Sequence, residues 1–374
     1  MRYRMYIYKV RARLLLLMSA AILLAACSDD TDRSDSLSDG TDILQIATYT
    51  HDLTNPSASA ATRAVTAPSG YSQYTGSASA SIGVFMTPTV GTPTVGMKVI
   101  TYENNAWHST VKVTENTTYN IYGYMPAYVT CAIAPNTTFA DGAILTFTDV
   151  PSVMSEDFCV ITGVFDHEGG NNKSGTMKAG TFAYEGRNSD NFVSLMFDHL
   201  YGALNISLKV VDSYNSLRTI KLKELKLKTK VNGTPAKSKT TVTVTLNKTT
   251  DGTTPISDNG VIFASSGDDM DDVSFFQSAT GKELGTEYES FIGHFMPEGI
   301  TTFVVTSVYD VYDKNNNLVR KDCTAENILE ISELYDRQTK TKRGSKYTIK
   351  LNIMPTYLYM LSEPDLDNPT VVVN

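Results

Sequence analysis

Short stretches of alternating apolar and polar residues recur along this chain, and turns rich in Gly, Pro and Asn separate them at spacings of about ten residues. This rhythm is typical of antiparallel β-sandwiches and differs from the longer period of alternating strands and helices. Thr, Val, Tyr, Ser and Gly are abundant, as expected for pleated sheets and tight turns. The pattern therefore predicts an all-β fold of two antiparallel β-sandwiches in tandem.

The chain of 374 residues is long enough for two or three domains with buried cores. The alternating pattern restarts near residue 194, after a segment rich in Gly and Asn. We therefore predict an N-terminal sandwich at residues 64–195 and a C-terminal sandwich, ending in a further strand region, at residues 196–374. Residues 326–337 depart from the pattern, because their apolar side chains have helical spacing and predict a helix. A one-residue phase slip between Leu222 and Leu225 predicts a bulge.

Residues 1–26 have the pattern of a lipoprotein signal peptide. Five basic residues precede an apolar stretch, residues 14–24, that is too short to span a bilayer. The stretch ends in Leu24-Ala25-Ala26-Cys27, which resembles a bacterial lipobox and implies cleavage before Cys27 and acylation of Cys27. The mature chain would then be anchored to a membrane by lipid without crossing it. It would hold 27 basic and 40 acidic residues, a net charge of −13.

Residues 27–63 are predicted to form a tether and an N-terminal propeptide strand. The tether consists mostly of Ser, Asp and Thr, a solvated composition. Residues 43–50 predict one isolated strand. We expect it to pair within the first sandwich, with either Ile43 and Ala47 or Leu44 and Ile46 facing the core.

A second polar linker, residues 55–70, follows the isolated strand and carries Arg63 and Ala64. Its small side chains predict an exposed segment that a protease can reach. Arg33 is the only other arginine between Cys27 and the first sandwich strand. A cut after Arg33 would leave the isolated strand attached, whereas a cut after Arg63 would remove it.

The cysteines give no metal-binding pattern. If Cys27 carries lipid, Cys131, Cys159 and Cys323 remain, and an odd number leaves at least one thiol unpaired. Small buried cysteines are the favoured interpretation, and a Cys131–Cys159 bridge stays open as an alternative.

The motifs of enzymes that use a nucleophile elbow, a zinc-binding helix, a phosphate loop or a dinucleotide turn do not occur in the sequence. The five histidines are scattered, and His199 is expected to be a structural histidine at a strand edge. We therefore predict a protein that is not an enzyme and that uses no cofactor or metal. The acidic balance argues against nucleic acid as a partner.

Several motifs, weak singly, occur in an order that resembles a known family. They are the lipobox at Cys27, Ile82-Gly-Val-Phe85, Tyr119-Asn-Ile-Tyr-Gly-Tyr-Met-Pro126, Phe197-Asp-His-Leu-Tyr-Gly-Ala-Leu-Asn-Ile206 and the ending Pro355-Thr-Tyr-Leu-Tyr-Met-Leu-Ser-Glu-Pro-Asp-Leu-Asp-Asn-Pro369. Together they resemble the fimbrillins of Bacteroidales, the type V pilus proteins that include FimA-like and Mfa-like subunits. The resemblance extends over nearly the whole chain and implies sandwiches of the transthyretin-like type.

The resemblance implies a precursor that is exported as a lipoprotein to the outer membrane and exposed at the cell surface. An arginine-specific protease would cut it, and Arg63 fits by position, with Ala64 as the new N-terminus. The subunit would then join other fimbrial subunits by donor-strand exchange and support adhesion, with residues 351–374 as the candidate donor region. A stalk and a tip role both stay open, and the adhesive ligand is unknown.

A surface glycan-binding lipoprotein is the alternative function. Aromatic platforms for glycans usually recruit Trp, and Trp107 is the only tryptophan, although 21 tyrosines could substitute.

Overall fold

The computed structural model describes residues 41–53, 71–74, 80–88, 96–114, 117–166, 181–184, 192–248, 250, 255–335, 338–354 and 370–373. These residues are nearly all in strands that form curled sheets, which confirms the all-β prediction. None of the helices in the described residues has the length and apolar content needed to cross a bilayer.

The strands before residue 200 come first in chain order. They are β1 (Thr41–Ile43), β2 (Gln45–His51), β3 (Tyr71–Gln73), β4 (Ser81–Pro88), β5 (Met97–Glu103), β6 (Ala106–His108), β7 (Lys112–Thr114), β8 (Thr117–Met125), β9 (Cys131–Pro135), β10 (Gly142–Pro151), β11 (Val153–Met154), β12 (Cys159–Asp166), β13 (Thr181–Tyr184) and β14 (Phe192–His199).

The remaining strands follow, with two short helices among them. They are β15 (Gly202–Val210), α1 (Asp212–Asn215), β16 (Thr219–Val231), β17 (Thr234–Pro235), β18 (Lys237–Asn247), β19 (Val261–Asp269), β20 (Val273–Leu284), β21 (Glu289–Phe295), β22 (Thr302–Tyr312), β23 (Leu318–Glu330), α2 (Ile331–Leu334), β24 (Lys346–Met354) and β25 (Thr370–Val373). A 3₁₀ turn at Asp258–Gly260 precedes β19.

The largest sheet has the strand order β3-β2-β14-β12-β8-β4-β5-β6, with β13 also paired to β8. Both of its faces contribute to core clusters, since successive side chains of a strand point to opposite faces. Val84 and Phe85, neighbours on β4, belong to two different core clusters. The small sheet β1-β7 contributes Val113 to the first of these clusters.

A second sheet, of order β19-β18-β10-β9, covers the other face of the large sheet. Its core includes a series of edge-to-face aromatic contacts with ring centroids 4.9–5.2 Å apart. The rings belong to Tyr124, Phe147, Phe158 and Tyr201. Such contacts stabilise a core beyond the burial of apolar area.

The C-terminal part of the chain forms two further sheets around one core cluster. One has the order β11-β21-β15-β24-β25, and the other has the order β17-β16-β22-β23, with β20 also paired to β16. Two of the described ladders are parallel, β2 with β14 and β15 with β24. Parallel neighbours cannot be joined by a tight hairpin, so each of these pairs unites segments far apart in sequence.

The bulge predicted in β16 is confirmed. The β16 ladders shift register between Leu222 and Glu224, where the sequence predicted a bulge. The lysines of β16 lie opposite the buried Leu225 and Leu227 on a partly exposed face. Asp313, Asn316 and their neighbours close the β22–β23 hairpin.

The predicted helix at residues 326–337 is wrong. β23 continues to Glu330, which pairs with Thr302, and among the described residues of this range only 331–334 are helical. Ile328 is 57% exposed, so it is not part of an apolar helix face. The apolar residues with helical spacing lie at the end of β23 and in the single helical turn after it. Pairing of β23 with β22 overrides the helical preference of the local sequence.

The division at residue 195 stays a prediction. Residue 195 lies within β14, and β15, the next strand, belongs to a different sheet. The ladder between β10 and β18 joins residues before and after that position, from Gly142 with Asn247 to Pro151 with Lys239. Any division there is therefore crossed by a long hydrogen-bonded ladder.

Candidate functional site

The first described segment of the chain, residues 41–53 (here the N-terminal segment), is built into the large sheet. β2 pairs in parallel with β14 from Gln45–Phe192 to Thr50–Phe197. On its other side it pairs antiparallel with β3. The prediction that this strand pairs and packs is confirmed, and without it β14 would lose the neighbour on one side.

The N-terminal half of the segment is held by apolar burial. Leu44 is 1% exposed and Ile46 7% exposed, and both belong to the core cluster beneath the large sheet. Ile43 is 39% exposed, so the Leu44 and Ile46 alternative is the correct one. The backbone N–H of Leu44 also donates to the carbonyl of Val111 at 2.9 Å.

The C-terminal half of β2 is held by polar groups. Thr48 is buried, and its hydroxyl accepts a hydrogen bond of 2.9 Å from the indole N–H of Trp107. The Tyr71 hydroxyl lies 2.7 Å from Nε2 of His51. The same strand is therefore fixed by core packing at its start and by specific hydrogen bonds at its end.

His199 joins the end of β2 to the body of the protein. Its Nε2 donates to the carbonyl oxygen of His51 at 2.6 Å, and its Nδ1 lies 2.7 Å from Oδ2 of Asp157. His199 is the last residue of β14, the strand to which β2 is paired. Both ring nitrogens act as donors in this arrangement, which requires the charged imidazolium.

The electrostatics favour that charged form. Burial works against the imidazolium, but the charge of Asp157 and hydrogen bonds to Asp157 and His51 outweigh it and raise the pKa of His199 from 6.5 to about 9. Burial also opposes ionisation of Asp157, yet His199 and His294 hold the pKa of that carboxyl well below its usual range. The pair is therefore a buried imidazolium–carboxylate ion pair at neutral pH, here called the Asp157–His199 ion pair.

Asp198, the residue before His199, binds the C-terminal part of the chain. Its Oδ2 accepts from the backbone N–H of Ile256 at 2.7 Å and from Nη1 of Arg343 at 2.9 Å. Arg343 also donates to the carbonyl of His199 at 3.1 Å. The Phe-Asp-His motif noted in the sequence thus joins three distant segments: Asp198 holds residues 256 and 343, and His199 holds the N-terminal segment.

One group of side chains in the described part of the chain has the atoms to ligate a metal ion. Asp157, Cys159 and His199 place their ligand atoms within 4.8 Å of one another. Burial and the charge of Asp157 raise the pKa of the Cys159 thiol well above its usual range, and His199 uses both ring nitrogens as donors. This protonation favours an ion pair over a set of metal ligands, since metals bind thiolate and neutral imidazole.

Three surface cavities border the N-terminal segment. One of about 500 Å³ lies beside Leu53, a second of about 300 Å³ is lined by residues 45–48, and a third of about 300 Å³ lies beside His51 and Asp52. Each of these cavities opens to solvent beside the N-terminal segment.

The residues that the sequence singled out for processing, Cys27, Arg63 and Ala64, lie outside the described residues, as do the signal peptide, most of the tether and residues 355–369. None of Cys131, Cys159 and Cys323 forms a disulfide bond, so Cys131 and Cys159 are not bridged. Cys159 and Cys323 are buried as the favoured interpretation expected, and Cys131 is half-buried.

Sequence reasoning missed the Asp157–His199 ion pair. Asp157 lies in the loop before β12, and the sequence motif that contains His199 does not indicate a partner for its imidazole. The one signal in the sequence was the position of His199 at a predicted strand edge, which indicated a structural histidine and is confirmed by its burial.

No protein-family model and no curated protein matches the chain. Among solved structures, a candidate cell adhesion protein from Bacteroides uniformis is similar at a TM-score of 0.41 and 12% identity, covering 90% of this chain and 99% of that one. A fimbrial protein from Bacteroides vulgatus has a TM-score of 0.35 at 13% identity, covering 78% and 91%. A candidate polysaccharide-binding protein from Bacteroides thetaiotaomicron has a TM-score of 0.31 at 8% identity, covering 88% and 96%.

These neighbours are described as a cell adhesion protein, a fimbrial protein and a polysaccharide-binding protein. The first two descriptions name the class of bacterial surface protein that the sequence motifs resemble.

Proposed function

We propose that this chain is the precursor of a stalk or tip subunit of a cell-surface fimbrium of the type V pilus class. In this proposal it is exported as a lipoprotein acylated at Cys27, cut between Arg63 and Ala64 by an arginine-specific protease, and assembled by strand exchange. The fimbrium supports adhesion, and the precursor is anchored in the outer membrane until it is cut.

The observation that carries the proposal is the position of β2. It is an integral strand of the large sheet, yet the covalent link from β2 to all later strands runs through residues 52–70, which contain Arg63. One cut in that linker breaks the covalent link between β1–β2 and every later strand, so that only non-covalent contacts hold them. An internal strand would need two cuts.

Loss of the segment would leave a groove that favours a new occupant. Burial of Leu44 and Ile46 contributes about 1.5–3 kcal/mol each. The ladder edge of β14 would also expose unpaired N–H and C=O groups. Both effects are reversed when a strand from another subunit fills the groove, which is donor-strand augmentation.

β25 is the segment best placed to act as the donor. It is the last described strand, and it lies at the edge of its sheet, paired only to β24 through residues 370–373. β24, by contrast, buries Tyr347, Ile349 and Leu351 at the centre of a core cluster. Within the predicted donor region, β25 is therefore the part that can leave without opening that core.

The test compares Arg63→Ala with Arg33→Ala in cells that assemble the protein. Arg63→Ala should leave a full-length, lipidated, monomeric precursor, whereas Arg33→Ala should mature normally, because a cut at position 33 does not release β2. Purified wild type treated with trypsin should form oligomers that resist SDS without heating.

Cys27→Ala gives an independent readout, since it should abolish labelling by a palmitate analogue. Two results would contradict the proposal: maturation of the Arg63→Ala variant at the wild-type rate, or a cut chain that stays monomeric although β1 and β2 have left it.

A further inference from the structure

The cavity lined by residues 45–48 contains a set of aromatic rings that the strand-exchange proposal does not use. Its volume is about 300 Å³, and Tyr74, Tyr102 and Trp107 contribute to its wall. The centroids of Trp107 and Tyr102 lie 4.9 Å apart at an interplanar angle of 59°, and Tyr74 lies nearly parallel to the indole, at 26° and 6.3 Å. We call this cavity the Trp107 pocket.

The indole is held in a fixed position. Its N–H is bonded to the hydroxyl of Thr48, and β6, which carries Trp107, is paired to β5. Asn104 and Asn105, at the turn between these strands, both have positive φ, of 51° and 63°. Asn tolerates this conformation and two such residues form the tight turn of a short hairpin. The ring is therefore held in place while part of its surface remains accessible.

The polar groups of the pocket are amides. Gln45, Gln73 and Asn105 line it and are all exposed, and among the described residues of its wall none is charged. A wall without charged side chains is unusual in a chain with 40 acidic and 32 basic residues. Amide groups supply both donors and acceptors, and the wall offers no cation for an anionic ligand and no carboxylate for a metal ion.

These features together define the class of ligand. Aromatic faces bind apolar surfaces such as the C–H face of a sugar ring, and amides bind hydroxyl groups through paired donors and acceptors. The volume lies at the lower end of the range of roughly 300–1,000 Å³ for small-molecule sites. We propose that the Trp107 pocket binds a neutral saccharide, one or two rings of a glycan chain at a time.

The pocket depends on the N-terminal segment, because four of its lining residues, 45–48, belong to β2. The saccharide site therefore exists only while a strand occupies the position of β2. In the uncut protein β2 itself is present, so the site can be tested there without polymerisation.

Trp107 is the only tryptophan, so its fluorescence reports this pocket alone. The uncut chain is titrated with neutral oligosaccharides of glucose, galactose, mannose and N-acetylglucosamine, and with heparin as an anionic polysaccharide. We expect a saturable change in emission with at least one neutral oligosaccharide and none with heparin. Cleavage that removes residues 45–48 should abolish the response.

Gln73→Ala and Asn105→Gly remove amides while keeping the fold, since Gln73 is exposed and Gly accepts the positive φ of position 105. Each should weaken saccharide binding by about tenfold, the value of one lost hydrogen bond. Gln277→Ala, at an exposed position on β20, is the matched control and should bind as wild type does.

The proposal is overturned if no neutral oligosaccharide changes the emission of the folded, uncut chain, if heparin alone does so, or if the two pocket variants bind as tightly as the control. Failure of Arg63 processing would leave this titration unaffected, so the two proposals fail separately.

Discussion

β2 and β24 occupy equivalent places in their sheets. Each is second from an edge, each pairs in parallel with a strand of the central part of the chain, and each is flanked by a short outer strand. The parallel partners are β14 and β15, which are consecutive in sequence. The outer strands, β3 and β25, each follow after a long connection. β2 and β24 are thus placed in their sheets in the same way.

The side chains of the two strands differ. On β24, every second residue from Tyr347 to Ile353 is apolar and at most 1% exposed. On the corresponding face of β2, only Leu44, just before the strand, and Ile46 are apolar, and they are followed by Thr48 and Thr50. Polar contacts replace apolar burial along half of β2.

This difference shows how one architecture can make one strand permanent and another removable. Apolar burial is lost in proportion to the exposed area, so pulling out β24 would open a whole core cluster. β2 depends on two apolar side chains, one buried ion pair and a few hydrogen bonds, and it borders three cavities. The strand that a single cut would free is also the less apolar of the two.

The largest loss of stability should come from alanine substitutions of the buried apolar residues of the two regions. Ile349→Ala with Leu351→Ala removes core side chains at about 2–5 kcal/mol each, so the C-terminal sheets should lose most of their stability. Leu44→Ala with Ile46→Ala should release the N-terminal segment and leave the C-terminal sheets intact. Hydrogen exchange of the β22 and β24 amides measures the stability of the C-terminal sheets. Exchange of the β2 amides measures release of the N-terminal segment. Equal loss of protection in the two double variants would contradict the comparison.

The second prediction concerns the Asp157–His199 ion pair, which positions the imidazole that binds the end of β2. Asp157→Asn leaves the buried His199 without its carboxylate, and breaking a buried pair on one side costs about 3–5 kcal/mol. Thermal and urea unfolding should register this loss, with the N-terminal segment losing protection first. Asp269→Asn, which removes the exposed Lys237–Asp269 pair, is the matched control and should cost about 1 kcal/mol or less. Similar losses of stability in the two variants would mean that the buried pair contributes no more than the exposed pair.

The strands were predictable from sequence because alternation depends on the residues of one strand alone. β18 shows this clearly: Val242, Val244 and Leu246 alternate with threonines, and all three are buried. The bulge in β16 was predictable for the same reason, since a phase slip changes which residues share a face.

Strand partners were not predictable, because alternation gives the buried face of a strand without its neighbours. The sequence does not indicate that β10 pairs with β18, about a hundred residues later, or that β2 pairs in parallel with β14. The candidate site was hidden for that reason. His51, Asp157 and His199 meet because β14 is paired with both β2 and β12, and no local pattern connects them.

The third prediction is a dependence on pH confined to β2. The pKa of His199 is raised from 6.5 to about 9, so its contribution is fully present below pH 6.5 and is lost as the pH rises through about 9. The pKa of Asp157 is lowered, so its contribution is present above its ordinary value of 3.8 and is lost only in stronger acid. The N-terminal segment should therefore be held most firmly between about pH 4 and 6.5.

Between pH 6.5 and 9.5, the free energy of opening β2 should fall by up to about 3 kcal/mol, the value of a shift of this size. Protection factors of the β2 amides against hydrogen exchange measure the change. β24 is the internal control, because burial raises the pKa of Tyr347 and keeps it neutral over this range. A parallel decline in both strands would indicate general alkaline unfolding and would contradict a local ion-pair effect.

The smallest loss of stability should come from removing the Thr48 hydroxyl, which accepts the hydrogen bond from the Trp107 indole. Thr48→Val keeps the shape of the side chain and leaves the indole N–H without its acceptor, at a cost of about 1 kcal/mol. Because Trp107 is half-buried, water can replace part of the lost bond, and the emission of this single tryptophan should shift to longer wavelength. Thr348→Val, at an exposed position of β24, is the matched substitution and should change stability by less than about 0.5 kcal/mol. If the two substitutions are equally neutral, the Thr48–Trp107 hydrogen bond does not hold β2, and the polar half of that strand relies on His51 and His199 alone.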